Sequence, residues 1–315
     1  MPPTTTEEAL SQFLVAGRAS GWSAATVRHY RWHLGKFIAR TNATDPAAIT
    51  RHMLRAWAAD LRDDWQPATV RTAVVALRSF LRFCAEEDFT DRDLSNVLKV
   101  PSTPERVQRA VDADEITKLL ETAAHPPTRG LTEPQAQATA ARNCALIAFM
   151  FDTILRAAEV VSLDIEDVDR QRQFVTVIGK GNKQRRAGYS PDTSILLTQW
   201  LELRPHIATD TAALFVAITG PNPGARLTTN GLRVILRKIA DKAGVDPLSP
   251  HAFRRGGATE ALRNNAPTRV VQLHGGWSRI NQVETYSRNL NAIEEMHKYS
   301  PMKNVKNGNG HESEH

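Results

Sequence analysis

A chain of 315 residues with 41% hydrophobic composition is long enough for two domains with real cores. No apolar run approaches the ~20 residues of a membrane span, and Met1-Pro-Pro-Thr-Thr-Thr lacks the basic and apolar regions of a signal peptide, so neither membrane nor secretion is expected. The formal net charge of +6, carried mostly by arginine, fits a phosphate-bearing partner without proving one.

The first 95 residues read as a four-helix bundle. Its helices span about Thr5–Gly17, Ser23–Arg40, Thr50–Trp65 and Pro67–Glu87, with apolar residues such as Leu10, Phe13, Leu34, Phe37, Trp57, Leu77 and Phe80 at helical spacing. Arg28, Arg31, Arg71, Arg78 and Arg82 are either a DNA-facing set or an ordinary solvated face. His29 and His33 have the i, i+4 spacing of a zinc helix, but Tyr30 stands where the general-base Glu of that motif belongs, so no metal is expected. Cys84 and Cys144 lie in apolar helical patterns and read as buried free thiols of a reducing cytoplasm.

Residues 96–110 carry two prolines and no helical period, and read as a linker. A second domain is expected over 111–299, opening with a capping box at Asp112 and Glu115. His125–Gln137 is expected as a loop, and Cys144–Phe151, apolar all round, as the buried central helix. Arg156 and Glu159 follow close to that core, where a charge must be paired internally or bound to something. Phe174–Ile178 and Gln184–Tyr189 read as a β-hairpin around Gly179-Lys-Gly-Asn-Lys, a basic finger with Lys180 at the strand end. Asp164, Glu166, Asp167 and Asp169 read as a solvated acidic loop. Helices are expected at Thr193–Leu203 and Thr229–Ala243, the second with a basic face of Arg233, Arg237, Lys238 and Lys242. The 300–315 tail reads as disordered. The fold class is thus mainly α, with a small antiparallel hairpin.

Between Ser249 and Asn289 stand four groups suited to one phosphate: His251, Arg254, Trp277 and Tyr286. Ser249 and Pro250 read as N-cap and first helical residue. His251 then sits in a first turn that favours anions, and Arg254, three residues on, shares its face. Guanidiniums, an indole N–H and an imidazole suit the charge that develops on a phosphodiester, and no Asp/Glu cluster offers a two-metal site.

The ordered set Arg156, Lys180, His251-x-x-Arg254, Trp277 and Tyr286 resembles the tyrosine recombinase (phage integrase) family over essentially the whole chain. Thr153-Ile-Leu-Arg-Ala-Ala-Glu is similar to the family's first-arginine box. Val177-Ile-Gly-Lys-Gly-Asn-Lys-Gln-Arg is similar to the hairpin of Xer recombinases, and Gly276-Trp-Ser…Tyr-Ser-Arg-Asn to the end of Cre recombinase. Two departures stand out: Ile154 replaces the usual glycine, and Arg255 follows Arg254 where histidine is usual.

The resemblance implies an N-terminal core-binding domain and a C-terminal catalytic domain, active without metal, ATP or cofactor. It implies that Tyr286 attacks the scissile phosphate. Arg156, Arg254, His251 and Trp277 then hold the phosphate, Lys180 protonates the leaving 5′ oxygen, and Glu159 supports the site. Lys183, Arg185, Arg233, Arg237 and Lys238 join the candidate contacts to double-stranded DNA. A homotetramer working through a Holliday junction is implied, with the segment after Tyr286 docking on a neighbour through Leu290, Ile293 and Met296. No arm-binding domain is expected ahead of the bundle. The alternatives are a type IB topoisomerase-like enzyme and a non-catalytic DNA-binding regulator.

Overall fold

The structure, a computed structural model, describes residues 5–102, 109–179, 184–208 and 210–287. Lys180, Lys183, the expected helix at 289–297, the 300–315 tail and the middle of the expected linker lie outside the described residues. The chain divides into two compact units, Met1–Val107 and Gln108–His315.

Among its described residues the N-terminal unit holds four α-helices, α1 (Thr6–Ala19), α2 (Ala24–Thr41), α3 (Arg51–Asp64) and α4 (Pro67–Glu86). Each start has a local cause. The side chains of Thr5, Ser23 and Thr50 accept the backbone N–H three residues on, and α4 opens on Pro67, whose missing N–H costs nothing there. Phe13 is the hub of the core, with ring centroids 5.2 Å from Trp22, 5.3 Å from Tyr30 and 5.7 Å from Phe80, all edge-on.

The expected linker begins inside this unit. Leu94 and Leu98 are buried in the bundle core, with Val97 and Val100 packed against it. Arg78 donates to Asn96 Oδ1 and Arg71 to the Pro101 carbonyl, so two arginines expected on DNA fasten this segment to α4. Four scattered apolar residues without period read as a loop, yet they suffice to bury it.

The C-terminal unit is built on α6 (Glu133–Thr153), whose Ala145, Leu146, Ile147, Phe149 and Met150 are fully buried. Around it pack α5 (Ala113–Ala124), α8 (Pro191–Leu203) and α10 (Pro250–Arg263). The helix starts earlier than expected: Thr132 caps it, Gln135 closes the capping box, and Pro134 is accepted in the first turn. The hairpin forms as β2 (Phe174–Ile178) and β3 (Gln184–Gly188), and β1 (Val168–Asp169) adds a third antiparallel strand in the order β1-β2-β3. Two residues of pairing carry no readable period, so β1 was not foreseeable.

Short α7 (Ala157–Ser162), long α9 (Thr229–Ala243), α11 (Thr268–Gly275) and α12 (Asn281–Ser287) complete the unit. Among the described residues no helix is long and apolar enough to cross a membrane, and both cysteines are buried and free.

His33 is 5% exposed, and its Nδ1 has no hydrogen-bond partner among the described residues. Burial, then the nearby charge of His29, pushes its pKa down to about 4. The unfolded chain therefore takes up this proton first as pH falls from about 6.5, and the native state loses stability from there down to about 4. In a histidine ring-proton titration one resonance should stay neutral until about pH 4 and vanish in His33→Gln; a His33 midpoint near 6.5 would contradict this environment.

Candidate active site

The site grows from two helix ends in the C-terminal unit. The first is the end of α6. Ile154, its C-cap, has φ 53° and ψ 28°, a left-handed conformation that is costly for a β-branched side chain. The side chain offsets this by burial: Ile154 is 2% exposed and packs with Ala258, Leu262, Val271 and Val283. The turn aims the Ile154 carbonyl at Arg254, whose Nη1 donates to it at 2.5 Å. It also sets Arg156 as the N-cap of α7, where the Glu159 carboxylate accepts the Arg156 backbone N–H at 2.7 Å and its Nη1 at 3.0 Å. The internal Arg156–Glu159 pair weighed from sequence is therefore present, and it is only part of a larger set.

The second is the C-terminus of α11. Three successive carbonyls there accept guanidinium donors. His274 O takes Arg185 Nε at 3.2 Å, Gly275 O takes Arg254 Nη2 at 2.8 Å, and Gly276 O takes Arg156 Nη2 at 3.3 Å. These are among the carbonyls a helix end leaves unpaired, and the dipole there favours cations. Only glycines fit. A Cβ on Gly275 would lie 1.9 Å from the Trp277 ring, and Gly276 has φ +68° with Arg185 packed against it.

Arg254 is 4% exposed, and its Cζ sits 3.9 Å above the Trp277 ring. Burial, then the charge of Arg156, pushes its pKa down to about 10, which leaves it charged at neutral pH. Such a buried charge is tolerable because carbonyls on two sides and a π face replace its water. Trp277 in turn meets the Tyr286 ring, centroids 5.6 Å apart and tilted 57°. Tyr286 rides on α12, which is anchored by fully buried Val283.

His251 occupies the first turn of α10 with an exposed side chain, as expected. Partial burial, then the charges of Arg255, Arg254, Arg156 and Arg233, lowers its pKa, so the imidazole is neutral at pH 7 and can donate or accept. Arg255 Nε donates to the Arg109 carbonyl.

Glu159 is the pivot. Burial alone would raise its carboxyl, but bonds from Arg185 and the Arg156 N–H, with both guanidinium charges, hold it below the usual range. Arg185 reaches it with both arms, Nη1 to Oε1 and Nη2 to Oε2, each at 2.9 Å. Expected on DNA, Arg185 is instead enclosed, 14% exposed, in the wall of the site. The signal was available: β3 pairs Arg185 with Val177 and Ala187 with Val175, so an arginine stands on the buried face of the strand.

Arg233, Arg237 and Lys238 are exposed on α9, and Arg28, Arg31 and Arg82 on the bundle. The acidic run is absorbed locally: Asp164 pairs with Arg226, and Asp167 and Asp169 accept backbone N–H groups. Among the described residues no group of three or more His, Cys, Asp or Glu could hold a metal.

Residues 109–292 match the phage integrase family, and residues 12–88 match the N-terminal SAM-like domain of phage integrases. The chain is 30% identical over 275 residues to tyrosine recombinase XerC of Corynebacterium efficiens, covering 87% of this chain and 83% of the relative. It is 29% identical over 283 residues to tyrosine recombinase XerD of Mycobacterium tuberculosis, covering 85% and 88%. Its fold is similar to that of the XerH site-specific recombinase bound to a palindromic difH substrate, with TM-score 0.71, 20% identity, and coverage of 93% and 83%.

Ile154 allows a test of the backbone that carries Arg254. Both Ile154→Gly and Ile154→Ala should destabilise by roughly 2–5 kcal/mol through lost burial. Only the alanine keeps the left-handed penalty, so the glycine variant should be the more stable by about 1 kcal/mol in denaturant titration, the reverse of the usual helix order. Alanine at or above glycine would refute the left-handed turn.

Proposed function

Because the chain belongs to the phage integrase family of tyrosine recombinases, we propose that it is a site-specific DNA recombinase that cuts and rejoins strands through Tyr286. The phenolic oxygen attacks the scissile phosphorus; the Tyr286 O–P bond forms as the P–O5′ bond breaks. The products are a 3′-phosphotyrosine and a 5′-hydroxyl, with Lys180 supplying the proton to the leaving oxygen. The reverse step, run by the 5′-hydroxyl of a partner strand, reseals the DNA. The covalent bond conserves the energy of the phosphodiester, so neither ATP nor metal is required.

One observation carries this reading: Arg254, fixed by two carbonyls, lies over Trp277, which touches Tyr286. A phenol with an ordinary pKa near 10 is neutral at pH 7 and gives up its proton only to a positive surround. Arg156 and Arg254 stabilise the equatorial oxygens as charge develops there, and neutral His251 can relay the tyrosine proton. The exposed basic residues of α9 and of the bundle supply phosphate contacts along double-stranded DNA. Strand exchange between two duplexes proceeds in a homotetramer through a Holliday junction.

The decisive reagent is a nicked duplex carrying the cognate site. Wild type should leave a covalent protein–DNA band that survives denaturant and persists in EDTA, Tyr286→Phe should leave none, and Arg254→Ala should slow its appearance by roughly 10²–10³-fold. DNA binding without any adduct would instead indicate a non-catalytic regulator, and relaxation of supercoils by monomers a topoisomerase.

A further inference from the structure

We propose that Arg185 is a positioning residue for strand cleavage, acting as the counterion of Glu159 so that Arg156 keeps its charge for the phosphate. This rests on the recombinase reading above. Glu159 is 10% exposed and its two oxygens are fully engaged: each accepts one arm of Arg185 and one donor of Arg156, the side chain on Oε1 and the backbone N–H on Oε2. Arg185 is enclosed at 14% exposure, while Arg156 is 42% exposed. The division follows from geometry. Arg185 takes the planar fork-to-fork pairing with the carboxylate, and Arg156 is left with a single side-chain bond to it, one bond to the Gly276 carbonyl, and an open side.

Without Arg185, Glu159 faces Arg156 alone. A buried carboxylate then turns both oxygens to the one guanidinium left and cancels, at close range, the charge a phosphate would meet. Arg185 also donates Nε to His274 O and packs against Gly276, the residue before Trp277. One side chain of β3 therefore ties together the carboxylate of α7 and the α11 terminus that holds Arg254 and Arg156.

The charge argument separates a counterion from a simple brace. Single-turnover adduct formation on the nicked duplex is measured for wild type, Arg185→Gln, Arg185→Lys, Glu159→Gln and the double variant R185Q/E159Q, with non-covalent affinity taken in parallel. R185Q should lose about 10- to 100-fold in rate, with affinity changed far less. R185K, which keeps the charge and loses the fork, should fall between. R185Q/E159Q should be faster than R185Q, because it removes the stranded carboxylate with its counterion. A double variant slower than R185Q, the result of two independent structural losses, overturns the proposal, as does an R185Q rate equal to wild type. If R185Q fails to melt cooperatively, R185K with and without E159Q decides: a loss restored by adding E159Q supports the proposal, and a loss deepened by it, or a wild-type rate unchanged by both substitutions, overturns it. Absence of any wild-type adduct instead defeats the recombinase reading itself.

Discussion

Three guanidiniums gathered on one side of a domain repel one another, and something must hold them there. In this chain the holder is backbone. The last carbonyls of α11 and its cap accept Arg185, Arg254 and Arg156 in sequence, and Glu159 bridges the outer two. A helix C-terminus carries partial negative charge and unpaired acceptors, so it neutralises cations without the mobility of acidic side chains. Bonds to charged donors are worth roughly 1.5–3 kcal/mol each, enough for several together to offset desolvation of several kcal/mol. The rest of the unit can be read as serving this arrangement. The glycine pair lets the terminus approach Trp277 and Arg185, and the left-handed Ile154 turns a further carbonyl inward.

Much of the fold was legible because it depends on local rules. Capping residues and apolar spacing located the bundle helices to within about two residues, and the β-rich run before Gly179-Lys-Gly-Asn-Lys located the hairpin. The failures have physical causes. The 94–101 segment is pinned by arginines from α4 and by four apolar residues without period, a tertiary effect that no window of sequence displays. Pro134 looks like a loop signal unless the cap at Thr132 is weighed with it.

At the site, residue type and order point to Arg156, Arg254, His251, Trp277 and Tyr286, and to Glu159 as a support, while the other supports stay hidden. Gly275 and Gly276 mark a tight place without saying what is close. Ile154 reads as a departure from pattern, when its backbone keeps a glycine-like geometry at the expense of strain. Arg185 reads as surface charge from composition alone; strand register turns it inward opposite Val177.

Tyr286 is held through side-chain packing. The described part of its helix, α12, runs Asn281–Ser287. Among the described residues, the burial of Val283, on the order of 1.5–3 kcal/mol, and the ring contact with Trp277, roughly 0.5–1.5 kcal/mol, help to seat it. Both contributions are small beside the burial that holds the α6 core. Contacts that add to α12 favour this placement of Tyr286, and contacts that compete for Val283 oppose it. Arginines fixed by backbone carbonyls thus stand beside a tyrosine fixed by side chains, and Ile154, whose carbonyl holds Arg254 and whose side chain packs with Val283, joins the two.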